Sequence, residues 1–286
     1  MGKTGGAGCR MPPGSGGHSF FARRRSLEAS MYVHRVEFCF RGNEPPEQLA
    51  DVVEWFLSAL RMNGQVCGRE WPIYFQEDRC VAIVLSPEQG SLDPKYYGEH
   101  LKDRLREAET LGISITSATV AEDYSGANIC RCADSSAYIL YTTFVLLESP
   151  IRCLDCFLPV PLYKFPVMPS GDYHEVICWQ SDYQSCDNLQ MNCAVLERAG
   201  TRQLSDVHSS LSKIGRENCG TLADLSGKPF YYYLYRGRGR SISSERQKHC
   251  PSCEQPWYLE TPLHSLFHYK CDQCRLLSNF AWNLSQ

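Results

Sequence analysis

Polar and apolar residues alternate over residues 32–40. His34, Val36, Phe38 and Phe40 share one face, which predicts a strand. The period then lengthens. In Pro46–Met62, Leu49, Val52, Val53, Phe56, Leu57 and Leu60 recur at helical spacing as one stripe, and Asn63-Gly64 supplies a stop. Residues 72–76 and 79–85 read as a hairpin turning at Glu77-Asp78. Asp93 as cap and Pro94 in the first turn open a second helix. Its stripe is Tyr97, Leu101, Leu105, Ala108 and Leu111, and Gly112 ends it. Residues 113–120 read as a further strand. The order β-α-β-β-α-β over residues 31–121 predicts a ferredoxin-like α+β domain, with two helices on one face of an antiparallel sheet. Many activities use this fold, so the order assigns none. An RNA-recognition module would need a glycine-aromatic signature on a central strand, and residues 79–85 (RCVAIVL) have none.

The texture changes from Ala121. Short apolar runs, prolines and cysteines alternate through residues 122–245, which read as a cysteine-rich α+β region. Residues 137–147 predict a buried strand or hairpin. Pro159, Pro161, Pro166 and Pro169 make 158–170 an extended segment. Residues 201–214 read as a helix striped by Leu204, Val207, Leu211 and Ile214 and closed by Gly215, and residues 230–235 as an aromatic strand.

Of 286 residues, 16 are cysteine, a high share for a chain long enough to bury a large core. Residues 1–30 lack the apolar stretch of a secretory signal, so a disulfide scaffold is not favoured and reduced thiols in the cytoplasm are expected. That segment holds seven glycines and five basic residues against Glu28. It reads as a disordered extension, with a basic nucleic-acid-binding arm as the alternative. The longest apolar run is too short to span a membrane. The net charge of −3 excludes a globally basic nucleic-acid binder but not a local patch.

The cysteine spacing carries the most chemistry. Cys250, Cys253, Cys271 and Cys274 form C-x₂-C-x₁₇-C-x₂-C, the spacing of a zinc ribbon over residues 246–286. Each C-x₂-C turn puts two thiolates on one side of a knuckle, and two knuckles complete a tetrahedron around Zn²⁺. Four thiolates leave no open coordination position, so such a site is structural. The competing readings are disulfides or free thiols. Cys130, Cys132, Cys153 and Cys156 form C-x-C-x₂₀-C-x₂-C, whose second half is a good knuckle. This set is either a second zinc site, with His174 as a substitute ligand, or a buried Cys132 beside a free Cys130. The remaining cysteines read as ordinary thiols.

Motifs for catalysis are missing. No H-E-x-x-H, G-x-S-x-G or zinc-deaminase signature occurs, and Gly2-Lys3-Thr4 lacks the strand and upstream glycine of a phosphate loop. Asp172, His174 and Glu175 read as a polar loop. For nucleic acid the signal is Arg236, Arg238, Arg240, Arg246 and Lys248, set against Glu245 and following Tyr231, Tyr232, Tyr233 and Tyr235. Arginines can neutralise phosphates and tyrosines can stack on bases. A solvated linker after a core strand explains the same residues. Lys270 and Arg275 flank the last knuckle and would extend the patch.

Residues 153–166 (CLDCFLPVPLYKFP), 179–190 (WQSDYQSCDNLQ) and 271–279 (CDQCRLLSN) resemble a family of uncharacterised proteobacterial proteins. That family is described as zinc-ribbon-containing, with nucleic-acid binding as the suggested role. The resemblance runs from about Met31 onward. It implies a ribbon with ligands at Cys250, Cys253, Cys271 and Cys274. The expected function is a zinc-ribbon protein that binds RNA or single strands through Arg236, Arg238, Arg240, Lys248, Lys270 and Arg275. The alternative is a protein-interaction adaptor with purely structural zinc.

Overall fold

The computed structural model describes residues 31–40, 46–76, 78–124 and 128–284. The expected N-terminal extension and the turn residue Glu77 lie outside the described residues. Strand β1 (Met31–Phe40), helix α1 (Pro46–Met62), strands β2 (Ile73–Phe75) and β3 (Arg79–Ser86), helix α2 (Glu99–Thr110) and strand β4 (Ile113–Asp123) form the first unit. Its sheet has the order β2-β3-β1-β4, all antiparallel, which is the ferredoxin-like arrangement. The α1 stripe is buried throughout and packs on Val36, Phe38, Cys80, Ala82 and Val84 of the sheet. Asp93 caps a short 3₁₀ turn, Pro94–Tyr96, by accepting from the Lys95 amide at 3.0 Å. Tyr97 is extended there, so α2 starts later than expected, at Glu99.

The second unit is a six-stranded sheet. Its strands are β5 (Tyr138–Leu140), β6 (Ile151–Cys153), β7 (Phe230–Leu234), β8 (Tyr258–Leu263), β9 (Phe267–Cys271) and β10 (Leu276–Asn279), in the order β6-β5-β7-β10-β9-β8. The central strand β7 is parallel to both neighbours. Its five residues are all buried, as expected for a strand covered on both faces. The tyrosine hydroxyls are matched inside: Tyr233 donates to Asn279 Oδ1 at 2.9 Å, and Tyr231 to the Asp272 carboxylate. Residues 246–286 do not stand apart. Cys250, Trp257, Phe267 and Tyr269 belong to the same core as Ile139 and Leu140.

Four helices accompany this sheet: α3 (His174–Asn192), α4 (Glu197–Ser205), α5 (Ser210–Ser226) and α6 (Ile242–Arg246). Helix α3 begins at His174, so the polar loop expected at 172–175 is a helix start. The buried face of α3 mixes Val176, Ile177, Trp179 and Tyr183 with Gln180, Asp187 and Gln190. Those polar groups tie down the irregular segment after β5. Asp187 accepts from the Phe144 amide at 2.8 Å, and Gln180 donates to the Glu148 carbonyl at 2.9 Å. That segment makes only a three-residue strand, shorter than the apolar run 137–147 suggested.

The helix expected over 201–214 is two helices. Asp206 leaves helical geometry, and Ser209 caps α5 by accepting from the Ser212 amide. Gly215 is not a stop; it lies within α5. A Cβ there would stand 2.5 Å from Trp179 Nε1 and closer still to the Tyr232 ring. Gly215→Ala should therefore destabilise the fold by about 1–3 kcal/mol through overpacking, read as a lower urea midpoint. An unchanged midpoint would show that the helix can slide off the strand at no cost.

Candidate metal centres

The structure brings together both sets of four cysteines singled out in the sequence. Within each set, Cys130, Cys132, Cys153, Cys156 and Cys250, Cys253, Cys271, Cys274, the sulfurs lie within 4.8 Å of one another. All 15 cysteines among the described residues are free of disulfides. The Cys253 and Cys271 sulfurs are 3.6 Å apart. That is far beyond a disulfide bond. It matches the edge of about 3.8 Å in a tetrahedron with metal–sulfur bonds of about 2.3 Å.

The local backbone explains the convergence. Cys156, Cys253 and Cys274 are each followed by a residue in the left-handed region: Phe157 (φ 60°), Glu254 (φ 60°) and Arg275 (φ 53°). Two of these turns are copies of one design, Cys-x-x-Cys-x-x-Pro. The Phe157 amide donates to the Cys153 carbonyl at 2.9 Å, and the Glu254 amide to the Cys250 carbonyl at 2.9 Å. Isolated bridges then join Arg152 to Pro159 and His249 to Pro256. The third turn connects β9 to β10. The two prolines of the repeated turn stand in the sequence at equal offsets from their cysteines, a signal the pairwise spacing alone does not register.

Backbone amides point at the sulfurs. Asp155 N lies 3.3 Å from Cys153 Sγ, Cys274 N 3.4 Å from Cys271 Sγ, and Cys132 N 3.4 Å from Cys130 Sγ. Burial pushes Cys153 up, but the Ser135 hydroxyl at 3.2 Å and the amides of Cys156 and Asp155 outweigh it, so its thiol sits below the ordinary value. The Gln255 amide and the neighbouring thiols hold Cys253 below as well. Burial pushes Cys271 up to about 12 and raises Cys156 and Cys250. A divalent cation at the centre would favour the thiolate form of every cysteine in the group, against the effect of burial. Both donor sets thus fit a thiophilic metal such as zinc. His174 does not join the first group. It lies on α3, with Nε2 3.4 Å from Cys178 Sγ.

Ser135 is a residue that sequence reasoning missed, since a serine carries no spacing signal. Ser135→Ala should weaken metal binding at the first group about 10–100-fold while leaving the second unchanged, measured by competition with a chromophoric chelator. Equal retention at both groups would remove Ser135 from the site.

The two groups are coupled through the sheet. Cys153 pairs with Tyr138 at the start of β5, and Cys271 pairs with Leu276 at the start of β10; β7 runs between them. The turn between β8 and β9 reaches the first knuckle. There His264 Nε2 lies 2.6 Å from the Leu154 carbonyl, and its ring stacks on Phe157 at 5.1 Å. The opposite edges of the sheet therefore meet. Beside them, Arg152 forms a buried ion pair with Glu148 at 2.8 Å and lies over the Phe157 ring.

Four of the six cations expected to contact nucleic acid are held by partners within the protein. Arg236 is bound by both carboxylate oxygens of fully buried Glu245, at 2.7 Å through Nη2. Arg238 pairs with Glu197 at 3.3 Å but stays 86% exposed. Arg240 is exposed, and Lys248 is half-buried on the approach to Cys250. Lys270 pairs with Asp272 at 2.8 Å, and Arg275 donates to the Tyr231 hydroxyl at 3.0 Å. Tyr231, Tyr232 and Tyr233 are buried and offer no face to a base.

Three family profiles match the chain, each described as a domain of unknown function: DUF8589 over residues 31–122, DUF2310 over 132–235 and DUF8594 over 239–284. An uncharacterised protein of Haemophilus influenzae is 40% identical over 228 residues, covering 78% of this chain and 87% of that protein. A second from the same organism is 41% identical over 164 residues, covering 57% and 81%. Among solved structures, Rv0793 from Mycobacterium tuberculosis aligns with 32% of this chain and 98% of its own, at 13% identity and a TM-score of 0.26. An antibiotic biosynthesis monooxygenase aligns with 31% and 96%, at 14% identity and a TM-score of 0.23. No helix among the described residues is long and apolar enough to cross a membrane.

Proposed function

The chain belongs to the family of uncharacterised proteins that includes these Haemophilus influenzae relatives, and we propose that it is a zinc-stabilised protein that binds single-stranded nucleic acid. Both tetracysteine groups hold structural Zn²⁺ in this reading, and residues 246–286 are a zinc ribbon built into a larger sheet. The observation that carries the reading is the donor set. Four sulfurs within 4.8 Å of one another, with backbone amides aimed at some of them, suit a closed metal site, and four thiolate ligands would leave no position for a substrate. A closed site serves to hold a surface rigid. The surface proposed is the ribbon and the segment before it, with Arg238, Arg240, Lys248, Lys270 and Arg275 as phosphate contacts. Arg236 holds that segment in place through Glu245. The absence of disulfides among the described cysteines supports a cytoplasmic location in this reading.

A fluorescein-labelled single-stranded RNA of about 20 nucleotides tests this by anisotropy on zinc-loaded protein. Five phosphate contacts predict a log–log salt slope of about −3.5, so affinity should fall on the order of 100-fold from 50 to 200 mM salt. No binding at 50 mM would defeat the nucleic-acid reading and leave the zinc assignment standing. Exposed Ile73, Tyr74 and Phe75 on edge strand β2 favour a second reading, a protein-interaction adaptor. A partner that stays bound after nuclease treatment and is lost on Phe75→Glu would support it.

A further inference from the structure

Helix α5 has a second interior glycine with surroundings opposite to those of Gly215. At Gly220 a Cβ would meet nothing within 4 Å, and the residue is exposed. Glycine inside a helix costs about 1 kcal/mol relative to alanine. Gly215 offsets that cost by fitting under Tyr232, whereas Gly220 fits under nothing. It opens instead onto a shallow, solvent-open groove of about 780 Å³ between α5, the turn at 227–229 into β7, and the last knuckle. That volume falls within the usual range for small-ligand sites.

The groove is lined by four cations, Lys213, Arg216, Lys228 and Arg275, against two carboxylates, Glu217 and Asp224. Lys228 is held by Asp134 at 2.7 Å, and Arg275 by the Tyr231 hydroxyl. Lys213 and Arg216 lie one turn apart on α5, and among the described residues neither forms an ion pair with a carboxylate. Cys274 also lines the groove. The site therefore borders the second cysteine group, and one of its lining cations, Lys228, is held by Asp134, two residues after Cys132. We propose that it receives one nucleotide of the single strand, with its phosphate at Lys213 and Arg216 and its sugar against the open backbone of Gly220. The missing side chain lets a ligand approach the helix backbone closely. This proposal rests on the nucleic-acid reading above and moves its centre from the linker arginines to α5.

The test uses the full zinc-loaded chain and fluorescein-labelled oligouridine of 12 nucleotides, with anisotropy at low salt. Gly220→Met fills the groove without changing charge and puts a better helix former in place. It should keep or raise the urea midpoint and weaken binding at least 10-fold. Lys213→Glu/Arg216→Glu should weaken it by a similar factor at an unchanged midpoint. If wild type binds and both variants bind equally well, while Arg238→Glu/Arg240→Glu loses binding, the groove is overturned as the site and the reading above survives. If wild type itself does not bind, both fall together.

Discussion

If the two tetracysteine groups hold zinc as proposed, replacing Cys271 by serine should lose one of two ions and unfold the end of the second sheet. Cys271 closes β9, packs beside the Cys253 sulfur, and pairs with the first residue of β10. A structural zinc in a small unit supplies on the order of 10 kcal/mol of folding free energy. Part of that is recovered here, because β9 and β10 share their core with the rest of the sheet. A drop in melting temperature of roughly 10 °C or more is expected, at about 2–4 °C per kcal/mol. Cys186→Ser, outside both groups, serves as control and should keep both ions. Metal content measured on purified protein decides the matter: a Cys271→Ser protein that carries as much zinc as wild type would remove that sulfur from the site.

The second large effect is expected at Glu245. Its carboxylate is fully buried, holds Arg236 by two hydrogen bonds and accepts from the Tyr269 hydroxyl at 3.2 Å. Glu245→Gln leaves the guanidinium without a counter-charge in a largely closed site. Breaking such a pair costs about 3–5 kcal/mol. Arg236→Met/Glu245→Leu, which removes both charges, should regain most of the loss, and urea titration of the three proteins measures it. The pH dependence has a definite sign. Burial pushes the Glu245 carboxyl up, but hydrogen bonding and charge from Arg236 outweigh it, so it titrates below its ordinary value of 4.5. Its contribution is complete above that value and fades as the pH falls below it, so the gap between wild type and Glu245→Gln should close in acid. A gap that persists unchanged would assign the loss to packing.

How well each element could be read depended on what it buries. Helix α1 is legible because its buried face is wholly apolar. Helix α3 is not, because Gln180 and Asp187 sit inside and satisfy the backbone of a loop 32 and 43 residues earlier, and buried Gln190 donates to Asp187. Gly215 resembles a helix stop, since glycine ends many helices; only the approach of Tyr232 shows its purpose. The cysteines of the second group announce themselves by spacing. The first group does so only by half, through Cys153-x-x-Cys156, because Cys130 and Cys132 join them only when the chain before β5 is folded against β6. The basic run after β7 is plain in composition, yet nothing local reveals that Arg236 is bound by a glutamate nine residues on. Charge counts along a chain register side chains and not their partners.

Strand β10 is the last of the described strands to leave the ribosome, yet it occupies the interior of its sheet, between β7 and β9. Until it emerges, β7 holds three tyrosines and a phenylalanine along an unfilled edge, ready to pair with another nascent chain. Folding of the second sheet therefore waits until translation has passed Asn279. A premature stop shortly before Leu276 should yield insoluble material, not a shortened but serviceable protein.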